Sequence, residues 1–296
     1  MNTKKLALIG AVASAIAGFA AAPAQATIIT NWNWAVNSGF SAFNPAGPAD
    51  VVGSNDNPVL GLPSVLSWPG TETVGNRSSL TFGGVNGAAS GSLITNAAPV
   101  NTVVVTHDNN PIPAGHSLTT ATLRDRLTLD PEMPLGAGTT GADAGPGDAF
   151  SLPDLFFDIK VLETTNNQNG PCDAPSPAGN GCNDIFVLSV SGGGVFLNNG
   201  GTPFLAQDFV YEGQAYGINL FMNGLSFLAP NICVAAGAAA GCVGFTTIEK
   251  QANNLQVQLQ IVANPVRVPE PLTLSLFGAG LAGAAAFGRR KMKKSA

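Results

Sequence analysis

The chain has 296 residues, 45% of them hydrophobic and only 10% charged, with a formal net charge of −5. With Lys4, Lys5 and the five cations near the C-terminus set aside, six of the 13 basic residues remain against 17 of the 18 acidic ones, a body charge of −11. That balance argues against nucleic acid and anionic lipid as partners of the body. Gly, Asn, Ser, Thr, Pro and Ala fill the surface role instead, a composition commoner in exported β-rich proteins than in cytosolic enzymes.

Residues 1–26 carry Lys4 and Lys5, an apolar stretch from Leu6 to Ala22, and the small residues Ala24 and Ala26 around Gln25. A basic start, an apolar run and a small-x-small site predict a secretory signal peptide, cut after Ala26 by signal peptidase. No Cys follows the run, which excludes a lipoprotein anchor. Residues 27–267 then read as one exported domain.

The domain opens with a strand over Ile28 to Val36, where Trp32 and Trp34, two apart, share a face. Pro45, Pro48, Pro58, Pro63 and Pro69 predict a loop-rich stretch from Ser38 to Gly70. Ser79 to Phe82 and Val100 to Thr106 read as strands, the second buried on both faces by Val103, Val104 and Val105. Thr106-His107-Asp108-Asn109 follows. His107 beside Asp108 offers an oriented base or a metal ligand, but the favoured reading has His107 closing the strand and Asp108, Asn109 and Asn110 forming a turn.

From Leu123 the pattern alternates, with Leu123, Asp125, Leu127 and Leu129 on one face. Asp130 to Asp148 reads as a Gly/Pro loop. Its Asp130, Glu132, Asp143 and Asp148 are weak calcium candidates, because hard oxygens on loops suit that ion. The EF-hand spacing is absent, so the first reading is solvated acids and no bound cofactor. Leu155, Phe157, Ile159 and Val161 form the next strand face. Asp184 to Val190, Asp208 to Glu212 and Tyr216 to Phe221 are further strands, the last two joined as a hairpin through Gly213. Leu255, Val257, Leu259 and Ile261, alternating with Gln256, Gln258 and Gln260, give the sharpest strand signal in the chain.

The four cysteines fall as two close pairs, and in an exported chain local bonds Cys172–Cys182 and Cys233–Cys242 are the simplest arrangement. Neither pair has zinc-site spacing, and the body holds only His107 and His116. About ten strands, with no amphipathic helix outside the chain ends, predict a mainly β fold: an antiparallel β-sandwich, jelly-roll-like in its variant. No G-x-S-x-G, H-E-x-x-H or P-loop occurs. Asp154 with Asp158, or Asp125 with Asp130, are the carboxylate pairs available for glycosidase work. Surface placement is the preferred reading of both, and no enzyme is expected.

Residues 268–296 end the chain with Pro269-Glu270-Pro271, an uncharged run from Leu272 to Gly288, and Arg289, Arg290, Lys291, Lys293 and Lys294. As a helix, residues 272–288 would span roughly 26 Å at 1.5 Å per residue, close to the ~30 Å hydrocarbon core of a bilayer. The cations behind it hold that end in the cytoplasm, which puts the body outside.

This tail resembles the PEP-CTERM sorting signal of Gram-negative bacteria, and Thr106, His107 and Asn109 resemble the Thr-His-x-Asn signature of a subfamily named for that motif. The resemblance implies that an exosortase, a membrane cysteine peptidase, recognises Pro269, Glu270 and Pro271. Arg289, Arg290 and Lys291 would hold the protein transiently in the inner membrane. Processing would then pass it to the cell surface or outside. The expected function is a structural protein of the surface or extracellular (biofilm) matrix, with exopolysaccharide as a partner. The alternative is a calcium-stabilised module binding glycan or surface polymer, with Trp32, Trp34 and Trp68 stacking on rings.

Overall fold

The computed structural model describes residues 28–44, 50–133, 149–164, 166, 171–174, 177, 181–192 and 194–264. The signal segment (1–26), the sorting tail (268–296), Asp143 and Asp148 lie outside the described residues. The strands are β1 (Asn31–Asn44), β2 (Val52–Asp56), β3 (Pro63–Trp68), β4 (Ser78–Phe82), β5 (Ala88–Ile94), β6 (Val100–Asn109), β7 (Thr120–Met133) and β8 (Phe150–Ser151). They continue as β9 (Leu155–Leu162), β10 (Asp184–Ser191), β11 (Val195–Asn199), β12 (Thr202–Tyr211), β13 (Gln214–Met222), β14 (Ser226–Phe227), β15 (Val243–Thr247) and β16 (Gln251–Asn264).

Two antiparallel sheets result, consistent with a β-sandwich. The first runs β14-β15-β10-β9-β7-β1-β5, with β8 pairing onto β7, and the second runs β11-β12-β13-β16-β6-β4-β3-β2. Alternation explains the layering. On β16, Leu255, Leu259 and Ile261 are buried between the sheets, while Gln258 and Gln260 on the other face donate to Asn101 Oδ1 (2.9 Å) and the Ala97 carbonyl (2.8 Å). On β7, Leu123 and Leu129 are buried on the face that also carries Asp125. Each fully buried Leu or Ile contributes roughly 1.5–3 kcal/mol relative to exposure.

Several expectations are corrected. The proline-rich stretch from Ser38 to Gly70 contains the end of β1 and both β2 and β3. Of its prolines, Pro63 starts a strand, Pro58 lies between strands and Pro69 directly follows one, where a missing N–H costs the ladder little; Pro45 and Pro48 lie outside the described residues. Asp108 and Asn109 are strand, not turn: β6 continues because Ser79 pairs with Asp108 on one side and Gln251 with Asn109 on the other. On β6, one face (Val103, Val105, His107, Asn109) is buried and the other is only half-buried in most of its length. Asp130 and Glu132 also belong to a strand, since β7 runs on to Met133 against β1.

A short helix, α1 (Pro230–Ala235), starts on a proline, whose missing N–H costs nothing at that position, and precedes the Ala/Gly stretch up to Cys242. Strand β5 escapes a hydrophobicity reading because Ala88-Ala89-Ser90-Gly91 is small by necessity. The Trp34 ring lies across it, and a Cβ at Gly91 would meet Trp34 Cζ2 at 2.7 Å. Among the described residues no helix is long and apolar enough to cross a membrane.

The disulfides are those expected. Cys172–Cys182 and Cys233–Cys242 close with Cα separations of 5.2 and 5.9 Å. Such bonds belong to an oxidising, extracellular or periplasmic compartment.

Candidate functional site

At one end of the sandwich five strand termini meet: the ends of β6, β9 and β15 and the starts of β10 and β16. Glu163 directly follows β9, Asp184 opens β10, and Glu249 is the middle residue of the three-residue crossing from β15 to β16. Their carboxylates converge, with one ligand atom from each lying within 4.8 Å of the others. Asp184 and Glu249 are 0% and 1% exposed.

The supporting contacts are specific. Asp184 Oδ1 accepts the Thr164 backbone N–H (2.8 Å) and its hydroxyl (3.2 Å), so one oxygen is held while Oδ2 has no partner. Thr164 also donates to the Cys182 carbonyl at 2.6 Å, which ties the cluster to the first disulfide. With its amide turned to suit its neighbours, Asn166 donates to both Glu249 oxygens at 3.0 Å. From the second sheet, the Asn109 amide reaches both Asp184 and Glu249 and donates at 3.5 Å to the Thr247 carbonyl.

Burial dominates the electrostatics. It raises the Glu163 carboxyl far above the usual range, with the charges of Asp184 and Glu249 adding to the effect. Asp184 is raised too, by burial first, against the opposing bonds from Thr164. Burial likewise lifts Glu249, less so because Asn109 and Lys250 favour its charge. Three carboxylates in a dry site cannot all ionise without a countercharge.

His107 stands beside this cluster rather than in it. The imidazole stacks on Trp68 (5.6 Å, 16°), meets the Phe186 edge at 4.8 Å, and shares a hydrogen bond with Thr247 Oγ1 at 2.9 Å. Burial pushes its pKa down to about 3, so the ring is neutral. The ring is locked between aromatics and packs there, and burial disfavours its taking up a proton. Thr106 points outward and donates to Asn254 Oδ1 at 2.8 Å. The Thr-His-x-Asn motif therefore divides by strand parity: His107 and Asn109 face inward, Thr106 outward.

The other candidates are scattered. Asp154 is gripped by Arg126 and Arg124, whose hydrogen bonds hold its carboxyl below the usual range. Asp158 is exposed and accepts the Thr122 hydroxyl at 2.8 Å. Asp125 turns into the sandwich, accepts the Ser38 hydroxyl at 2.8 Å and is raised to about 6 by burial. With Ser38 it lines an inter-sheet cavity of about 80 Å³ whose other walls are apolar. Strand parity puts Asp130 on the face of β7 opposite Asp125, so those two carboxylates do not meet. Glu132 accepts a hydrogen bond from Asn33. Trp32, Trp34 and Trp68 are 0%, 5% and 0% exposed, so none offers a stacking surface to a polymer.

Among the described residues the acids that assemble are 163, 184 and 249, each unremarkable in its own stretch of sequence. A comparison with protein-family models found no match for this chain, and a comparison with curated proteins found none either.

Proposed function

We propose that this chain is an exported structural protein of the cell surface or extracellular matrix, delivered through its C-terminal sorting tail. The carrying observation is the order Pro269-Glu270-Pro271, uncharged run, basic end, attached to an acidic β-body closed by two local disulfides. In this reading residues 1–26 are a signal peptide and residues 272–288 a single membrane helix. An exosortase cuts near the tripeptide, and exopolysaccharide is the polymer the released body contacts. Neighbours distant in sequence, β1 beside β7 and β6 beside β16, are the crossovers on which the jelly-roll-like likeness rests.

Replacing Pro269-Glu270-Pro271 by three alanines tests the reading. Cell fractionation with mass spectrometry of the mature termini should find the variant retained in the inner membrane with its tail intact. Release at the wild-type level, with a normally trimmed C-terminus, would refute the sorting role.

A further inference from the structure

Among the described residues, nine buried side-chain polar atoms have no hydrogen-bond partner. Seven of them lie in one neighbourhood: Trp68 Nε1, His107 Nε2, Asn109 Oδ1, both Glu163 oxygens, Asn183 Oδ1 and Asp184 Oδ2. Native interiors leave few such atoms and do not normally gather them. Asn109 is 1% exposed. Its amide is directed at the acids and the Thr247 carbonyl through the nitrogen, its oxygen has no donor, and a half-turn about the last side-chain bond would present that oxygen to the acids. That oxygen is independent of the carboxylates and calls for the same thing they do, a positive or donating group between them.

No cationic side chain forms an ion pair with these acids among the described residues; Lys250, exposed, acts on Glu249 only as a nearby charge. The ion pairs among the described residues are His116–Asp50 and those of Arg124 and Arg126 with Asp154. The donors on offer are all hard oxygens, three carboxylates and one amide, with neither thiolate nor an imidazole directed into the set. Oxygen-only sets of this kind select calcium over zinc or copper.

We propose that Glu163, Asp184, Glu249 and the Asn109 side-chain oxygen form a calcium site that joins the two sheets at this end of the sandwich. Glu163 and Asp184 come from the first sheet, Asn109 from the second, and Glu249 from the strap between them. One ion would therefore fasten what no backbone hydrogen-bond ladder does. The ion neutralises the three buried charges, and the affinity range of extracellular calcium modules, about 10⁻⁴–10⁻³ M, would make the joint form after export. This inference does not rest on the sorting role of the tail and survives its failure.

The test uses the full chain in detergent micelles, stripped with EGTA and then given CaCl₂ or TbCl₃. At 10 mM calcium and a Kd near 10⁻⁴ M, the melting temperature should rise by about 5–10 °C. Terbium emission excited through tryptophan should appear, with Trp68 beside Glu163 as the donor. In the combined Glu163→Gln, Asp184→Asn, Glu249→Gln variant, melting in EGTA should occur above the wild type, and both metal responses should vanish. Asn109→Asp adds a fourth charge, so it should melt lower in EGTA yet gain more from calcium than the wild type. A wild type with no calcium shift and no sensitised emission overturns the proposal, as does a calcium shift that persists in the triple variant. An Asn109→Asp protein that calcium fails to restore also counts against it.

Discussion

Two fully buried tryptophans sit between the sheets in opposite chemical circumstances. Trp32 is ringed by Phe150, Phe209, Tyr211 and Tyr216 in edge-on contacts at 5.3–6.3 Å. Every polar atom there is used: the indole N–H donates to Thr95 Oγ1 (2.9 Å), Thr95 donates to the Ile29 carbonyl (2.6 Å), and Ile29 N–H donates to the Tyr216 hydroxyl (2.8 Å). Trp68 also packs on aromatics, through His107 and Phe186, yet its N–H faces Glu163 without closing a hydrogen bond of ordinary geometry. Burial alone therefore does not distinguish a structural core from a site. What differs is satisfaction: the polar atoms named around Trp32 pair with one another, whereas those around Trp68 leave both donors and acceptors over, seven of the nine such atoms among the described residues.

The comparison can be broken at the Trp32 end first. Trp32→Ala should cost about 3–5 kcal/mol, read as a fall in urea midpoint and melting temperature, and the loss should be the same in calcium and in EGTA. A calcium-dependent loss would mean that the two clusters are one cooperative unit.

Asp125 offers a sharper contrast, because it is a buried carboxyl inside the apolar part of the sandwich with a single hydroxyl partner. Its folded pKa, about 6, lies above the ordinary 3.8, so the folded state holds the proton more tightly. The resulting stability is present below about pH 4 and is lost as pH rises through about 6. At pH 7 Asp125→Asn should stabilise the protein by up to about 3 kcal/mol. Chemical unfolding followed from pH 4 to 7 should show a falling limb that the variant flattens; an unchanged profile would mean that water reaches the carboxyl.

The smallest effect is expected at Thr95. Thr95→Val leaves the Trp32 N–H unpaired and should cost about 1–2 kcal/mol, or roughly 2–8 °C in melting temperature. That would convert the satisfied cluster into one resembling its counterpart, without carboxylates and without a calcium response.

Strand positions with strong alternation were legible from residues alone. Leu255 to Ile261 and Leu155 to Val161 bury one face each because a period of two leaves a strand no other way to hide its apolar side. Strands whose side chains are small or proline-flanked were not. Ala88 to Ile94 carries no strand signal of its own and is explained only by Trp34 lying across Gly91, and Pro63 to Trp68 reads as loop until its partners Val52–Asp56 and Ser78–Phe82 are known. The acids misled for a related reason. Asp130 to Asp148 is dense in carboxylates along the chain, whereas the group that converges is drawn from positions 163, 184 and 249.

Local pattern by itself determined the β character of the body and the pairing of cysteines nine and ten residues apart. These follow from side-chain alternation and short loop closure, which involve only neighbours in sequence. Which acids share a site was decided by strand order, because only the pairing of β6 with β16 and of β10 with β15 brings those termini to one end; which aspartate is dehydrated was decided by the packing of one sheet on the other.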